Sequence, residues 1–147
     1  MSKKWNFQDY QRDRVYQAES DWGAQNGHGQ QLSNAQSRRL VQAISKYYKI
    51  KPPKVFVKAK NRHGEISGIA PGRSEFVRLP YWAMTTAAIC HEMAHVITQQ
   101  KGIFDGHGPI FAGFLVEITH KFMGREDGTD LQWNLLQNSV EVEYNNI

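Results

Sequence analysis

The stretch Ile89-Cys90-His91-Glu92-Met93-Ala94-His95-Val96-Ile97 decides how this chain is read. It carries no glycine or proline and spaces its apolar residues at three and four, which predicts the interior of a helix. At about 100° per residue, His95 falls about 40° from His91 and Glu92 about 100° away, while Ile89, Met93, Val96 and Ile97 gather between about 140° and 240°. The histidines share one arc of the helix and the apolar stripe occupies another. A helix buried by that stripe presents His91 and His95 as a chelating pair with Glu92 beside them, the H-E-x-x-H arrangement of a metal-dependent hydrolase. Cys90 lies near the apolar arc and reads as packing, not as ligand or nucleophile.

A catalytic zinc takes three protein ligands and keeps a fourth position for water, so a third ligand must come from downstream. His107 is the first candidate: it follows His95 by 12 residues in Asp105-Gly106-His107-Gly108-Pro109. Its flanking glycines allow a sharp return, and Pro109 suits the first position of a helix. Glu117 is the other candidate, at the edge of an apolar stripe of Ile110, Phe111, Phe114, Leu115, Ile118 and Phe122, either as a ligand or as a hydrogen-bond partner of a ligand imidazole. The longer pattern H-E-x-x-H-x-x-G-x-x-H is excluded by Thr98 and Lys101. His28, His63 and His120 have no spacing partner and read as ordinary histidines. Three neutral imidazoles leave a zinc-bound water with a pKa near 7, and Glu92 then acts as general base and as proton donor to the leaving amine. Arg125, His120 or Tyr144 is left to supply a second donor for the oxyanion.

Outward from this helix, the pattern predicts helices over about 7–22 and 33–48, the second opened by a Ser33/Gln36 capping box and closed by Pro52-Pro53. From Lys54 the period changes to two, with Val55, Val57 and Ala59 inward and Lys54, Phe56, Lys58 and Lys60 outward. Glu65–Ala70 and Ser74–Leu79 read as two further strands joined through Pro71-Gly72. Helices of about 81–100, 109–123 and 130–144 complete an α+β chain in which a small three-stranded sheet packs with the H-E-x-x-H helix and its flanking helices.

The 147 residues fit one domain, 1–147, with 1–31 a candidate N-terminal helical extension. With 40% hydrophobic and 22% charged residues, the chain is neither compositionally disordered nor a coiled coil. The lone Cys90 excludes an internal disulfide and fits a reducing compartment, hence the cytoplasm. No apolar run is long enough for a membrane span or a signal peptide. Seven of the 18 basic residues lie between Lys46 and Arg62 without an acid, interleaved with Tyr47, Tyr48 and Phe56. Such a window suits either a solvated face or a nucleic-acid contact, with Lys54, Lys58 and Lys60 on one side of a strand.

With His107-Gly108-Pro109-Ile110-Phe111 behind His91–His95, the chain resembles the SprT-like zinc metalloproteases over about residues 47–122. The opening from Asp9 to Glu19 also looks like the start of a group of small bacterial and phage metallohydrolases. The resemblance implies a zincin-like fold, zinc on His91, His95 and His107, Glu92 as the catalytic glutamate, and a protein or peptide substrate. Members of the family act on proteins bound to DNA, which would give the basic window a purpose; no cysteine-rich zinc ribbon follows the core. In zincins the strand beside the active helix pairs with substrate, here about Glu75–Leu79. The expected function is therefore a zinc metallopeptidase. The alternatives are a non-catalytic zinc-stabilised module that binds nucleic acid or protein, and a zinc hydrolase of another amide.

Overall fold

A computed structural model describes residues 9–57 and 75–144. Five α-helices and two strands are found there: α1 (Arg12–Asn26), α2 (Asn34–Tyr48), β1 (Lys54–Val57), β2 (Phe76–Leu79), α3 (Thr86–Gln100), α4 (Pro109–Met123) and α5 (Arg125–Gln137). Ser33 opens α2 as its spacing predicts. Its hydroxyl accepts from Gln36 N–H, and the Gln36 side chain accepts from Ser33 N–H. Thr85 caps α3 in the same way by accepting from Ala88 N–H, and Pro109 is the first residue of α4. The residues 81–85 that were expected to extend α3 instead form a 3₁₀ turn over Tyr81–Ala83 followed by the cap.

The core is helix against helix. Ile89, Cys90, Met93, Val96 and Ile97 of α3 meet Phe111, Phe114, Leu115 and Ile118 of α4, and all of them are buried. The far side of α4 packs on α5 through Leu131 and Leu135, closely enough that a Cβ at Gly128 would collide with the His120 ring. Val15, Ala18 and Trp22 bury one side of α1, and the Trp22 indole donates to Asp127 O of α5. Helix α1 runs past Gly23, where it was expected to stop, to a cap at Gly27.

The expectation of a three-stranded sheet is corrected. β1 and β2 form a two-stranded parallel sheet with Lys54 opposite Phe76 and Val57 opposite Leu79. The reading of 65–70 as a strand lies outside the described residues. Parallel neighbours need a crossover connection, and residues 58–74 between β1 and β2, with the expected Pro71-Gly72 turn, lie outside the described residues. The sheet covers little of the core, to which it gives only Val77 and Leu79 fully buried. The molecule is thus dominated by helices, not by a sheet with helices laid on it. The last helix also shifts: the reading began it at 130 and ended it at 144, whereas α5 spans Arg125–Gln137 and an extended segment follows.

That segment is clipped to the start of α1 by a buried amide. Gln11, with no exposed surface, donates to His107 O at 3.0 Å and Glu141 O at 3.2 Å and accepts from Glu141 N–H at 2.6 Å. Gln11→Met is expected to leave these partners unpaired and to cost about 2–4 kcal/mol in urea unfolding, whereas Gln17→Met on the exposed side of α1 changes stability by less than about 0.5 kcal/mol.

Candidate metal centre

His91 and His95 stand one turn apart on α3, and the loop between α3 and α4 returns His107 to face them. The turn Asp105–Gly108 is closed by Gly108 N–H donating to Asp105 O at 2.9 Å. Gly106 adopts φ +62°, and a Cβ there would lie 2.7 Å from the Asp9 carboxylate. Only glycine satisfies both the backbone and that close approach.

The three imidazoles form one group whose donor nitrogens lie within 4.8 Å of one another. His95 Nε2 and His107 Nε2 are 3.3 Å apart. Two nitrogens bound tetrahedrally at the usual zinc distance of 2.0–2.1 Å stand about 3.3–3.4 Å apart, so this pair already has ligand spacing. Their opposite edges are committed. His107 Nδ1 is 2.7 Å from Asp9 Oδ2 while His107 N–H donates to Asp9 Oδ1 at 2.9 Å, and His91 Nδ1 is 2.7 Å from Glu19 Oε2. Each carboxylate takes a proton from Nδ1, so the Nε2 lone pair points into the group, the arrangement that orients ligand histidines and raises their basicity. Three histidines close enough to hold a metal ion, two of them backed by carboxylates, fit a divalent cation.

Electrostatics set the three imidazoles apart. Burial pulls the His91 pKa down, but the charge and hydrogen bond of Glu19 outweigh it and push the value up to about 9. Burial and the neighbouring imidazoles hold His95 well below its ordinary range. Burial and His91 also lower His107, with Asp9 opposing them. Without metal His91 is the protonated member of the cluster and gives up its Nε2 proton to become a ligand, while burial holds His95 and His107 toward the neutral form. Phe111, fully buried, forms the floor: its ring stacks on His95 at 4.3 Å between centroids and meets His91 and His107 at 5.1 and 5.0 Å.

Glu92 opens beside His91 onto a cleft of about 570 Å³ between α1 and the first turns of α3, with Tyr16, Glu19, Trp22 and Trp82 among its walls. Burial raises the Glu92 carboxyl above the ordinary range, against the opposing pull of His91. A carboxyl moved toward neutral pH is suited to accept and return a proton.

The other sequence candidates go elsewhere. Glu117 accepts from the Tyr48 hydroxyl at 2.5 Å and touches no ligand histidine. His120 and Tyr144 line a different cavity with Glu117 and Gln132, and Arg125 begins α5; none of the three lines the cleft. His28 lies on the cleft wall, and His63 is outside the described residues. Cys90 is buried, its thiol pushed up to about 12 by burial, as a packing residue should be. Lys54 is exposed on β1; Lys58 and Lys60 lie outside the described residues. No helix among the described residues is long and apolar enough to cross a membrane.

Sequence reasoning missed Asp9, Tyr16 and Glu19 as parts of the site. No spacing rule ties them to His91; the signals were the resemblance of the Asp9–Glu19 opening to small metallohydrolases, which gave these residues no role, and a polar stripe of Arg12, Tyr16 and Glu19 beside the apolar one on α1. No protein-family model, curated protein or solved structure matches the chain.

Asp9→Asn and Glu19→Gln are each expected to weaken zinc binding by about 10- to 100-fold, because the backing acceptor loses its charge. Competition against a chromophoric chelator measures the change, and Asp13→Asn, on an exposed carboxylate of α1, should leave affinity unaltered.

Proposed function

We propose that the protein is a zinc-dependent metallopeptidase whose ligands are His91, His95 and His107 and whose general base is Glu92. The observation that carries this reading is the ligand-spaced Nε2 pair of His95 and His107, completed by His91, which lines the same cleft as Glu92. A structural zinc site is normally closed by four protein ligands, whereas this group offers three and opens onto a cleft, which favours catalysis. Zinc bound there would supply Lewis acidity and lower the pKa of a bound water toward neutrality. Glu92 takes the proton of the attacking water and passes it to the leaving amine, so the amide C–N bond breaks with the nitrogen leaving as a neutral amine. Asp9 and Glu19 hold two of the imidazoles in the productive tautomer throughout. The resemblance of His91–Phe111 to SprT-like proteases supports the same chemistry, and the single buried cysteine supports a reducing compartment, for which we propose the cytoplasm.

The apolar walls at Trp22, Trp82, Ala87 and Ala88 suit the side chains of a peptide better than a small polar amide. Glu92→Gln is expected to keep one zinc per chain by elemental mass spectrometry and to lower hydrolysis of fluorescein-labelled casein by at least about 10²-fold. His95→Ala should lose both metal and hydrolysis. Casein cleavage persisting at full rate in the glutamine variant would remove Glu92 from its role.

One observation favours a second reading, a zinc-stabilised module that binds nucleic acid. On one face of the sheet Lys54 lies opposite Phe76 and Phe56 opposite Arg78, the phenyl rings 6.1 Å apart and the guanidinium 5.6 and 5.2 Å from their centroids. Aromatic rings beside cations are the elements of a single-strand stacking surface. Under this reading a fluorescent oligothymidylate binds with an affinity that falls steeply with salt. Joint replacement of Lys54 and Arg78 by alanine then weakens it at least about tenfold, read by fluorescence anisotropy. Wild-type protein without salt-dependent affinity excludes the reading.

A further inference from the structure

A glutamate base leaves one demand of amide hydrolysis unmet: a hydrogen-bond donor at the carbonyl oxygen as it gains charge. The residues that sequence spacing offered for this, His120, Tyr144 and Arg125, do not line the cleft. Of the side chains that do, Trp22 gives its indole N–H to Asp127 O, and Trp82 lies in the 3₁₀ turn before α3 with no ring contact to the three histidines. Glu19 is an acceptor already engaged with His91. Thr85 uses its hydroxyl oxygen to cap α3. His28 packs its ring against Gly23, so near that a Cβ at that position would collide with it. Gly23 lies seven residues, or about 10 Å of helix rise, beyond Tyr16. Ser20 lies four residues, or about 6 Å of helix rise, beyond Tyr16.

Tyr16 differs from all of these. Its ring stands edge-on to His107 with centroids 5.0 Å apart and 6.1 Å from that of His91, so it flanks the ligand group directly. It lines the same cleft as Glu92 and is 48% exposed. Its hydroxyl has no hydrogen-bond partner among the described residues. The imidazole edges hold the ring, and its helix is held in turn by Asp9 and Glu19, so a phenol donor is kept beside the reacting position without being used by the fold.

We propose that Tyr16 is a further catalytic residue, its phenol donating a hydrogen bond to the substrate carbonyl oxygen and holding that bond as the oxygen becomes an oxyanion. The proposal rests on the metallopeptidase reading. No proton is transferred in this role: the phenol O–H stays intact, while Glu92 carries the proton from water to amine. A neutral donor facing an oxygen that gains charge stabilises the transition state more than the ground state, so its loss is felt in kcat more than in KM.

The test is Tyr16→Phe, which keeps the ring against His107 and removes only the hydroxyl. Zinc content and Tm should match those of the wild type. Casein hydrolysis should fall by roughly 10²-fold in kcat with KM changed by less than about threefold. A second arm needs no turnover. Acetohydroxamate, a small oxyanion probe directed at zinc, is titrated calorimetrically into both zinc-loaded proteins, and its Kd should rise at least about fivefold in the phenylalanine variant. Acetohydroxamate binding that is equal in the two proteins, or absent from both, overturns the role of Tyr16. Wild-type protein that holds zinc and binds the probe but never cleaves casein overturns the peptidase reading instead, and the probe arm still decides whether Tyr16 faces the oxyanion position.

Discussion

The double hydrogen bond from Asp9 to His107 is the contact on which the centre depends. One carboxylate receives both the backbone N–H and the ring Nδ1 of the same residue, at 2.9 and 2.7 Å. That fixes the loop and the imidazole together: the backbone bond sets where His107 sits and the ring bond sets which nitrogen faces His95. Gln11, two residues on, binds His107 O and pairs in both directions with Glu141. The entrance to α1 therefore carries the polar joints that hold the α3–α4 loop and the C-terminal segment at once. Glu19, two turns further along the helix, extends the same control to His91. Helix α1 thus orients ligands that lie on other elements and supplies none itself.

How much of this was legible follows from how far each signal reaches along the chain. Residues whose role is set within one turn or one loop could be read: the His91/His95 pair, the Ser33/Gln36 box, Pro109 at the head of α4, and the buried arc of Ile89, Met93, Val96 and Ile97. His107 was accessible because its flanking glycines and proline are themselves local signals of a return turn. The sheet was misread because period two identifies a strand without giving its partner, and β1 and β2 pair directly in a two-stranded parallel sheet. Asp9 and Glu19 were hidden because their partners lie 98 and 72 residues away. A carboxylate on a polar helix face looks the same whether it meets water or an imidazole. Glu117 illustrates the converse. Its place at the edge of the α4 stripe offered it as a ligand or a partner of one, yet it turns to Tyr48, because a position on a helix face specifies a layer and not a partner.

Phe111 explains why so small a molecule can hold three imidazoles so close together. Its ring stacks on His95 and meets the edges of the other two, and together with Met93 and Ala94 it closes the group off from the core side. An apolar floor would by itself disfavour protonated imidazoles and strengthen every charge interaction above it. Asp9, just before α1, and Glu19, on it, compensate, each where it can also aim a ring. The centre is thus asymmetric, with an apolar floor from α4, ligands from α3 and its following loop, and anionic backing from α1. Only the side toward Tyr16, Glu92 and Trp82 is left for a ligand to approach. That asymmetry follows from helix packing, since α4 packs on α3 while α1, seated on α5, reaches the histidines through Glu19. It accounts for a three-histidine centre in a fold whose described strands contribute none of the histidines.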